Sequence, residues 1–319
     1  MTTSPPKLVA VGGAAIDRCY RAIAPLTLGT SNPVMGSGGF GGVARNVAET
    51  VARLGCRAAL MSIVGDDGSG WALINHLAAL GVDVEAVTIA TTRATAEYIA
   101  VLDADGRLSL GLANMAVFDD LTVADLTRAE AVLADADWVF ADANLPADVL
   151  AALVARRRFG GGRLAIDAVS VPKVGRLPDD LSGIDVLMLN RAEAAALLSV
   201  DAAEPLAALT TALLARGAGA LVLSDGDHGA LVADPAGVVR VPALRASRVD
   251  ETGAGDALIG ATLAALAAGL SLVDAVRRGT AAAALTVEFP GAVRPDLTAA
   301  LIDQALAGRQ PRGNITDAV

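Results

Sequence analysis

Four short apolar runs in the second half of the chain restrict the fold more than any other feature. Residues 138–141, 164–167, 186–189 and 220–223 each read as a strand, and Ala/Leu-rich segments of helical pattern separate them. That spacing describes βαβ crossovers and a parallel sheet covered on both faces. The same alternation holds near the N-terminus, with a strand over 8–12, a helix over 43–54, a strand over 58–64 and a helix over 69–80. Residues 96–102 and 107–112 instead alternate about an Asp-Ala-Asp-Gly turn, the mark of a sheet with one wetted face. A hairpin is expected at 228–233 and 238–241. Helices follow from residue 253 almost to the end, and only 310–319 read as disordered. In such sheets ligands bind beyond the carboxyl ends of the strands, so the residues just after strands are where chemistry is sought.

Composition narrows the function. With 25 basic and 35 acidic residues the net charge is −10. Long-range repulsion therefore argues against nucleic acid or an anionic membrane as partner. The two lysines, Lys7 and Lys173, each follow a proline, so no GxxxxGK[ST] phosphate loop exists. Neither His76 nor His228 sits in an HExxH or HRD context; His76 reads as a surface helix residue. Cys19 and Cys56 are too few for a zinc cluster and read as buried thiols of a reducing compartment. The N-terminus lacks the pattern of a signal peptide. Residues 257–273 are apolar but short of the roughly 20 residues of a membrane span, and Gly269 divides them into two buried helices. A soluble cytoplasmic protein is expected.

The segment 250–256, Asp-Glu-Thr-Gly-Ala-Gly-Asp, opens directly into an apolar helix. Glycines at a helix start aim backbone N–H groups at an anion, and the helix dipole favours negative charge there. Asp256 beside such an anion hole would repel a phosphate. It makes sense if it takes a proton from an attacking hydroxyl while the N–H groups hold the transferred phosphoryl. The alternative is a carboxylate that stabilises its own helix.

This heptad resembles the C-terminal signature of the ribokinase-like (PfkB) carbohydrate and nucleoside kinases. Gly41-Gly42-Val43-Ala44-Arg45-Asn46, with Arg53-Leu54-Gly55 and Val64-Gly65-Asp66-Asp67, is similar to the N-terminal one. Asn190-Arg191-Ala192-Glu193 resembles the family's NxxE element, and residues 224–229 resemble its nucleotide loop. The elements stand in family order across nearly the whole chain. The resemblance implies an α/β fold: a ribokinase-like, doubly wound, mostly parallel sheet with helices on both faces plus a small β-sheet lid. It implies one kinase domain over 1–319, with lid strands inserted at about 17–36 and 89–114, and a homodimer formed through the lid.

Carried over by position, Asp256 is the catalytic base, and Gly253, Ala254 and Gly255 form the anion hole. Asp17, Gly41, Gly42 and Asn46 hold the sugar. Asn190, Ser224, Gly226 and Gly229 border ATP, and Glu193 holds Mg²⁺, directly or through water. The family often uses K⁺ near the anion-hole loop. On spacing alone, Asn190 and Glu193 fit a capping pair equally well.

Within the family, Val43 replaces the lysine of the ribokinase Gly-Gly turn. Residues 30–33 and 167–173 instead resemble the pseudouridine kinases, whose base carries an extra ring N–H. Ser31 and Asn32 would read that edge, Lys173 would donate to a carbonyl, and Met115 would pack on the ring. The expected activity is ATP-dependent phosphorylation of the 5′-hydroxyl of pseudouridine. The alternatives are another sugar or nucleoside kinase acting on ribose, fructose or uridine, a silent sugar sensor, and a dinucleotide-binding oxidoreductase built on Val11-Gly12-Gly13-Ala14-Ala15.

Overall fold

The computed structural model describes residues 5–312. In chain order its strands are β1 (Lys7–Val11), β2 (Ala15–Ala22), β3 (Val34–Gly41), β4 (Arg57–Gly65), β5 (Val87–Ala90), β6 (Ala96–Leu102) and β7 (Leu108–Asn114). After them come β8 (Trp138–Asp142), β9 (Arg163–Asp167), β10 (Val186–Asn190), β11 (Leu221–Ser224), β12 (Ala230–Asp234) and β13 (Gly237–Val241).

Nine strands form one sheet in the order β13-β12-β11-β10-β9-β8-β1-β4-β5. From β11 to β5 every pairing is parallel, and β12 and β13 add an antiparallel edge. Side chains of a strand alternate between faces, and β1 shows the result. Val9 and Val11 enter one apolar layer, while Leu8 and Ala10 enter the other. The first layer is roofed by helices Ala147–Arg158 and Leu206–Ala215, the second by Val43–Arg53, Ala254–Ala267 and Leu272–Thr286. This is the doubly wound sheet the alternating pattern implied. Gly269, at φ 88°, separates the last two helices, and no helix among the described residues is long and apolar enough to cross a membrane.

A second sheet has the order β3-β2-β6-β7. Directly paired residues share a face, so the register sets Asp17 with Tyr98 and Ala113 on one face. Arg18, Ile99 and Leu112 lie on the other, as do Tyr20, Val101 and Leu110. β3 runs through the glycine-crowded stretch that begins at Gly36 and ends at Gly41. Glycine weakens a strand by propensity, yet at Gly41 a side chain has no room. A Cβ on Gly41 would lie 2.1 Å from Asp17 Oδ2.

Other local expectations also change. His228 belongs to a 3₁₀ turn, Gly226–His228, and the hairpin strand starts at Ala230. Cys19 and Cys56 are free and half-buried rather than buried. Part of the tail expected to be disordered is paired: Arg245 N donates to Gln310 O at 3.1 Å and Arg312 N to Ala243 O at 2.7 Å. Residues 313–319 lie outside the described residues.

Candidate active site

The site forms where β1, β8, β9, β10 and β11 end. β1 finishes at Val11, and Gly12 and Gly13 turn the chain into β2. A dinucleotide site would need a helix there to present its N-terminus to a pyrophosphate; a strand follows instead. The turn packs on Asp142, which is fully buried. A Cβ on Gly12 would lie 2.4 Å from Asp142 Cγ, so only glycine admits the carboxylate.

Asp142 Oδ2 accepts from Gly13 N and Ala44 N, both at 2.8 Å, and Oδ1 accepts from Asn144 N at 2.9 Å. Ala44 lies in the first turn of helix Val43–Arg53, which has no side-chain cap of its own. Asp142 therefore supplies that cap from across the sheet. Burial raises its pKa while the three amides pull it down.

The capped helix carries Asn46, which is buried, and Asn46 Nδ2 donates to Asp256 Oδ2 at 2.7 Å. Asp256 stands in the first turn of helix Ala254–Ala267. Gly253, at φ 76°, is the N-cap, and a Cβ there would lie 1.8 Å from Ala292 O. The sequence expectation made Gly253, Ala254 and Gly255 the anion hole. Ala254 N instead turns back to Glu251 O at 3.2 Å, so the amides without an acceptor among the described residues are those of Gly253, Gly255 and Asp256. Glu251, the extra carboxylate of this loop, is held by Arg248 at 2.5 Å.

Burial takes the Asp256 carboxyl up to about 6. The Asn46 donor opposes that shift, Asp142 and Asp17 add to it, and Arg45 pulls down. Asp17, on β2, is likewise pushed up by burial. A carboxyl raised to about 6, as Asp256 is, can take a proton near neutral pH.

Gly255 lines two adjoining cavities. The larger, about 520 Å³, is bounded by Ser224, Gly226, Gly229, Leu244, Ala254 and Ala283, among others. It holds three of the positions expected to border a nucleotide. Its mouth carries Asp227 with Arg248 at 3.0 Å and Arg312 alongside. The smaller, about 180 Å³, is bounded by Asp167, Asn190, Glu193, Ser224 and Asp256, among others.

Asn190 and Glu193 form a reciprocal capping box. Asn190 N and Nδ2 donate to the Glu193 carboxylate at 2.8 and 2.7 Å, and Glu193 N donates back to Asn190 Oδ1 at 3.0 Å. The capping alternative is thus realised, with Glu193 buried rather than exposed. The Asp167 carboxylate accepts from Val169 N alone among the described residues, at 3.0 Å, and burial followed by Glu193, Asp256 and Asp142 pushes its pKa well up. Among the described residues no three His, Cys, Asp or Glu side chains are placed to hold a metal ion. This donor set fits a hydrated Mg²⁺ that brings waters and phosphate oxygens of its own.

The remaining expected residues are placed as follows. Lys173 Nζ bonds Asn144 Oδ1, and burial lowers the lysine's pKa. Asn32 folds its own loop, with Oδ1 accepting from Thr27 N at 2.8 Å and Nδ2 donating to Thr27 O at 2.9 Å. Ser31 is exposed, and Met115 packs against the core layer. Gly42, at φ 92°, starts the Asn46 helix. His76 is no free surface residue: its Nε2 lies 3.0 Å from Glu49 Oε2 and its ring 4.7 Å from that of Phe40. Sequence reasoning missed Asp142 and Asn144. Their one local signal was position, just past a buried strand.

The sequence profile of the pfkB family carbohydrate kinases matches residues 7–299. The chain belongs to that family. It is accordingly a phosphotransferase with a hydroxyl acceptor. A pseudouridine kinase of Escherichia coli K12 is 29% identical over 298 residues, 92% of this chain and 94% of its own length. A ribokinase of Haemophilus influenzae is 27% identical over 79% of this chain and 82% of its own. Among solved structures, a carbohydrate kinase from Agrobacterium tumefaciens superposes with a TM-score of 0.83 at 32% identity, covering 96% of this chain and 98% of its own. Arabidopsis thaliana ribokinase complexed with ribose and ATP gives 0.84 at 21% identity, over 95% and 99%. The ribokinase-like sheet with its small second sheet is the pfkB fold.

Proposed function

We propose that this chain transfers the γ-phosphoryl group of ATP to the 5′-hydroxyl of pseudouridine. One observation carries the reaction. A half-buried carboxyl, Asp256, lines the smaller cavity, next to Gly255, which lines both, at a helix start whose neighbouring amides lack acceptors among the described residues. In this reading Asp256 accepts the hydroxyl proton as the oxygen attacks phosphorus. The Gly253, Gly255 and Asp256 amides receive the charge on the transferred group. Asp17, with Gly41 and Gly42, holds the sugar. The larger cavity takes the nucleotide, with Ser224, Gly226 and Gly229 at its border. Mg²⁺, held through water by Glu193 with Asp167 beside it, would supply charge neutralisation on the phosphates.

The similarity to the Escherichia coli pseudouridine kinase supports the acceptor. So does the pairing of Lys173 with Asn144 beside the strand ends, which offers donors to base carbonyls. Lys173→Ala is expected to lower kcat/KM for pseudouridine by on the order of 10- to 100-fold, the scale of a hydrogen bond to a charged group, while ribose turnover barely changes. Equal losses on both acceptors would remove Lys173 as a base reader.

A second reading, a kinase of broader sugar range, is favoured by Asn32, whose amide is engaged within its own loop. A coupled ADP-release assay across pseudouridine, uridine, ribose and fructose decides between the two. The same assay in K⁺ and in Na⁺ reads the monovalent-cation requirement.

The outer face of the small sheet supports a homodimer as part of the proposal. Leu108, Leu110 and Leu112 are 60%, 53% and 48% exposed, and strand edges invite pairing. Sedimentation at micromolar concentration is expected to show a dimer that Leu110→Asp dissociates. A monomer in the unaltered protein would refute it.

A further inference from the structure

A guanidinium is buried directly behind Asp256. Arg45 is 3% exposed, and Glu49, one helical turn on, is 2% exposed. The two pair with each other, and Arg53 at 2.6 Å and His76 at 3.0 Å complete the surroundings of Glu49. Arg45 Nη1 donates to Asn46 Oδ1 at 2.7 Å and to Phe40 O at 3.0 Å, and the guanidinium lies 5.5 Å from the Phe40 ring centre.

Fold stability alone does not account for this arrangement. A buried ion pair adds little over apolar residues of similar size, and Arg45 Nε has no partner among the described residues. What Arg45 does decide is the orientation of a neighbouring amide. The Asn46 side chain is nearly symmetric in shape but offers an acceptor on one side and donors on the other. Arg45 can only donate, so the atom facing it must be Oδ1. That leaves the nitrogen toward Asp256. Turned over, the amide would set an oxygen against the carboxylate and favour the protonated acid.

We propose that Arg45 is a positioning residue of the proton-transfer site, holding Asn46 with its nitrogen toward Asp256 so that the carboxylate stays ionised and aimed. The inference rests on the reading of Asp256 as the base. The other charged groups about Asp256 are Asp17 from β2, Asp142 from the end of β8 and Asp167 from the end of β9. All three are acidic and disfavour ionisation. With the carboxyl already raised to about 6, loss of one donor carries it into the working pH range.

The test compares Arg45→Met, Asn46→Ala and the double variant. It reads the acid limb of kcat/KM with pseudouridine and MgATP, and the carboxyl ¹³C titration of Asp256 in the substrate-free protein. Arg45→Met is expected to move both upward by about one pH unit, so that activity at pH 6 falls about fivefold beyond any loss at pH 8. Asn46→Ala should shift them likewise, and the double variant only slightly further than Asn46→Ala alone, because the charge of Arg45 acts on Asp256 more weakly than the Asn46 donor does. Arg45→Lys should return most of the shift. A folded Arg45→Met with an unmoved limb overturns the proposal. So do shifts that add in the double variant, because Arg45 would then act by its charge and not through Asn46. If Arg45→Met does not fold, Arg45→Met/Glu49→Met removes the buried pair together and carries the same comparison. Asp256→Asn with normal turnover would remove the base reading itself. An inactive Asp256→Asn with an unmoved limb in Arg45→Met removes only this inference.

Discussion

Asp256→Asn is expected to lower kcat at least a hundredfold while leaving the KM of the acceptor nearly unchanged. General-base action is worth about 10²–10⁴ in rate, and asparagine keeps the shape of the side chain while losing its capacity to take a proton. The same substitution is expected to stabilise the fold. The sign follows from the direction of the shift. The native carboxyl is raised from 3.8 to about 6, so between those values the native state binds a proton that the unfolded chain has released. Stability from this group is therefore greatest at low pH and declines as pH rises through about 6. Above that, native Asp256 carries a charge its surroundings disfavour by about 2–3 kcal/mol. The gap in melting temperature between Asp256→Asn and the unaltered protein should thus open between pH 4 and pH 7. Turnover within a few-fold of normal in a folded variant would end the assignment of the base. A melting difference that does not change with pH would show that the carboxyl is not strained by burial.

The second large effect is expected at a carboxylate that caps a helix of the site. Asp142→Ala leaves the amides of Gly13, Ala44 and Asn144 without their acceptor in a fully buried place. Each orphaned donor costs about 1–3 kcal/mol, offset in part because a desolvated carboxylate is also removed. A net loss of about 3 kcal/mol is expected, read as a lower midpoint in urea with an unchanged slope. Catalysis should suffer as well, since the helix that Asp142 caps is the one that carries Asn46 to Asp256. Asp142→Asn, which retains one acceptor oxygen, should fall between the two. A midpoint for Asp142→Ala within experimental error of the unaltered protein would refute this view of the turn.

Much of the large sheet was legible because each strand is short, apolar and bounded by helical segments. β8 to β11 are placed within one residue at each end, and β6, of the small sheet, is placed to the residue. The small sheet was harder. β3 is rich in glycine and largely exposed, so neither propensity nor alternation marks it. It is a strand because β2 supplies its hydrogen bonds and because Asp17 leaves no room for a side chain at Gly41. The heptad 250–256 announced a helix start with a carboxylate. It did not reveal that Ala254 N bonds back to Glu251 O, which shifts the free amides to Gly253, Gly255 and Asp256. Asn190 and Glu193 were legible as a pair. Whether they cap a helix or face a ligand depended on burial, and Glu193 is buried within the cap.

Local order along this chain settled which segments are strands and helices, that the sheet is parallel and doubly covered, and that Asp256 opens a glycine-turned helix. Those properties follow from hydrophobic period and from backbone freedom, which act over a few residues. Tertiary packing alone decided that Asp142 caps the helix bearing Asn46, that Arg45 sets the amide of Asn46, and that Asp256 is desolvated among other carboxylates. Hydrogen bonds such as that from Asn46 to Asp256 join residues far apart in the chain. Charge and burial act through space, so no window of sequence contains them.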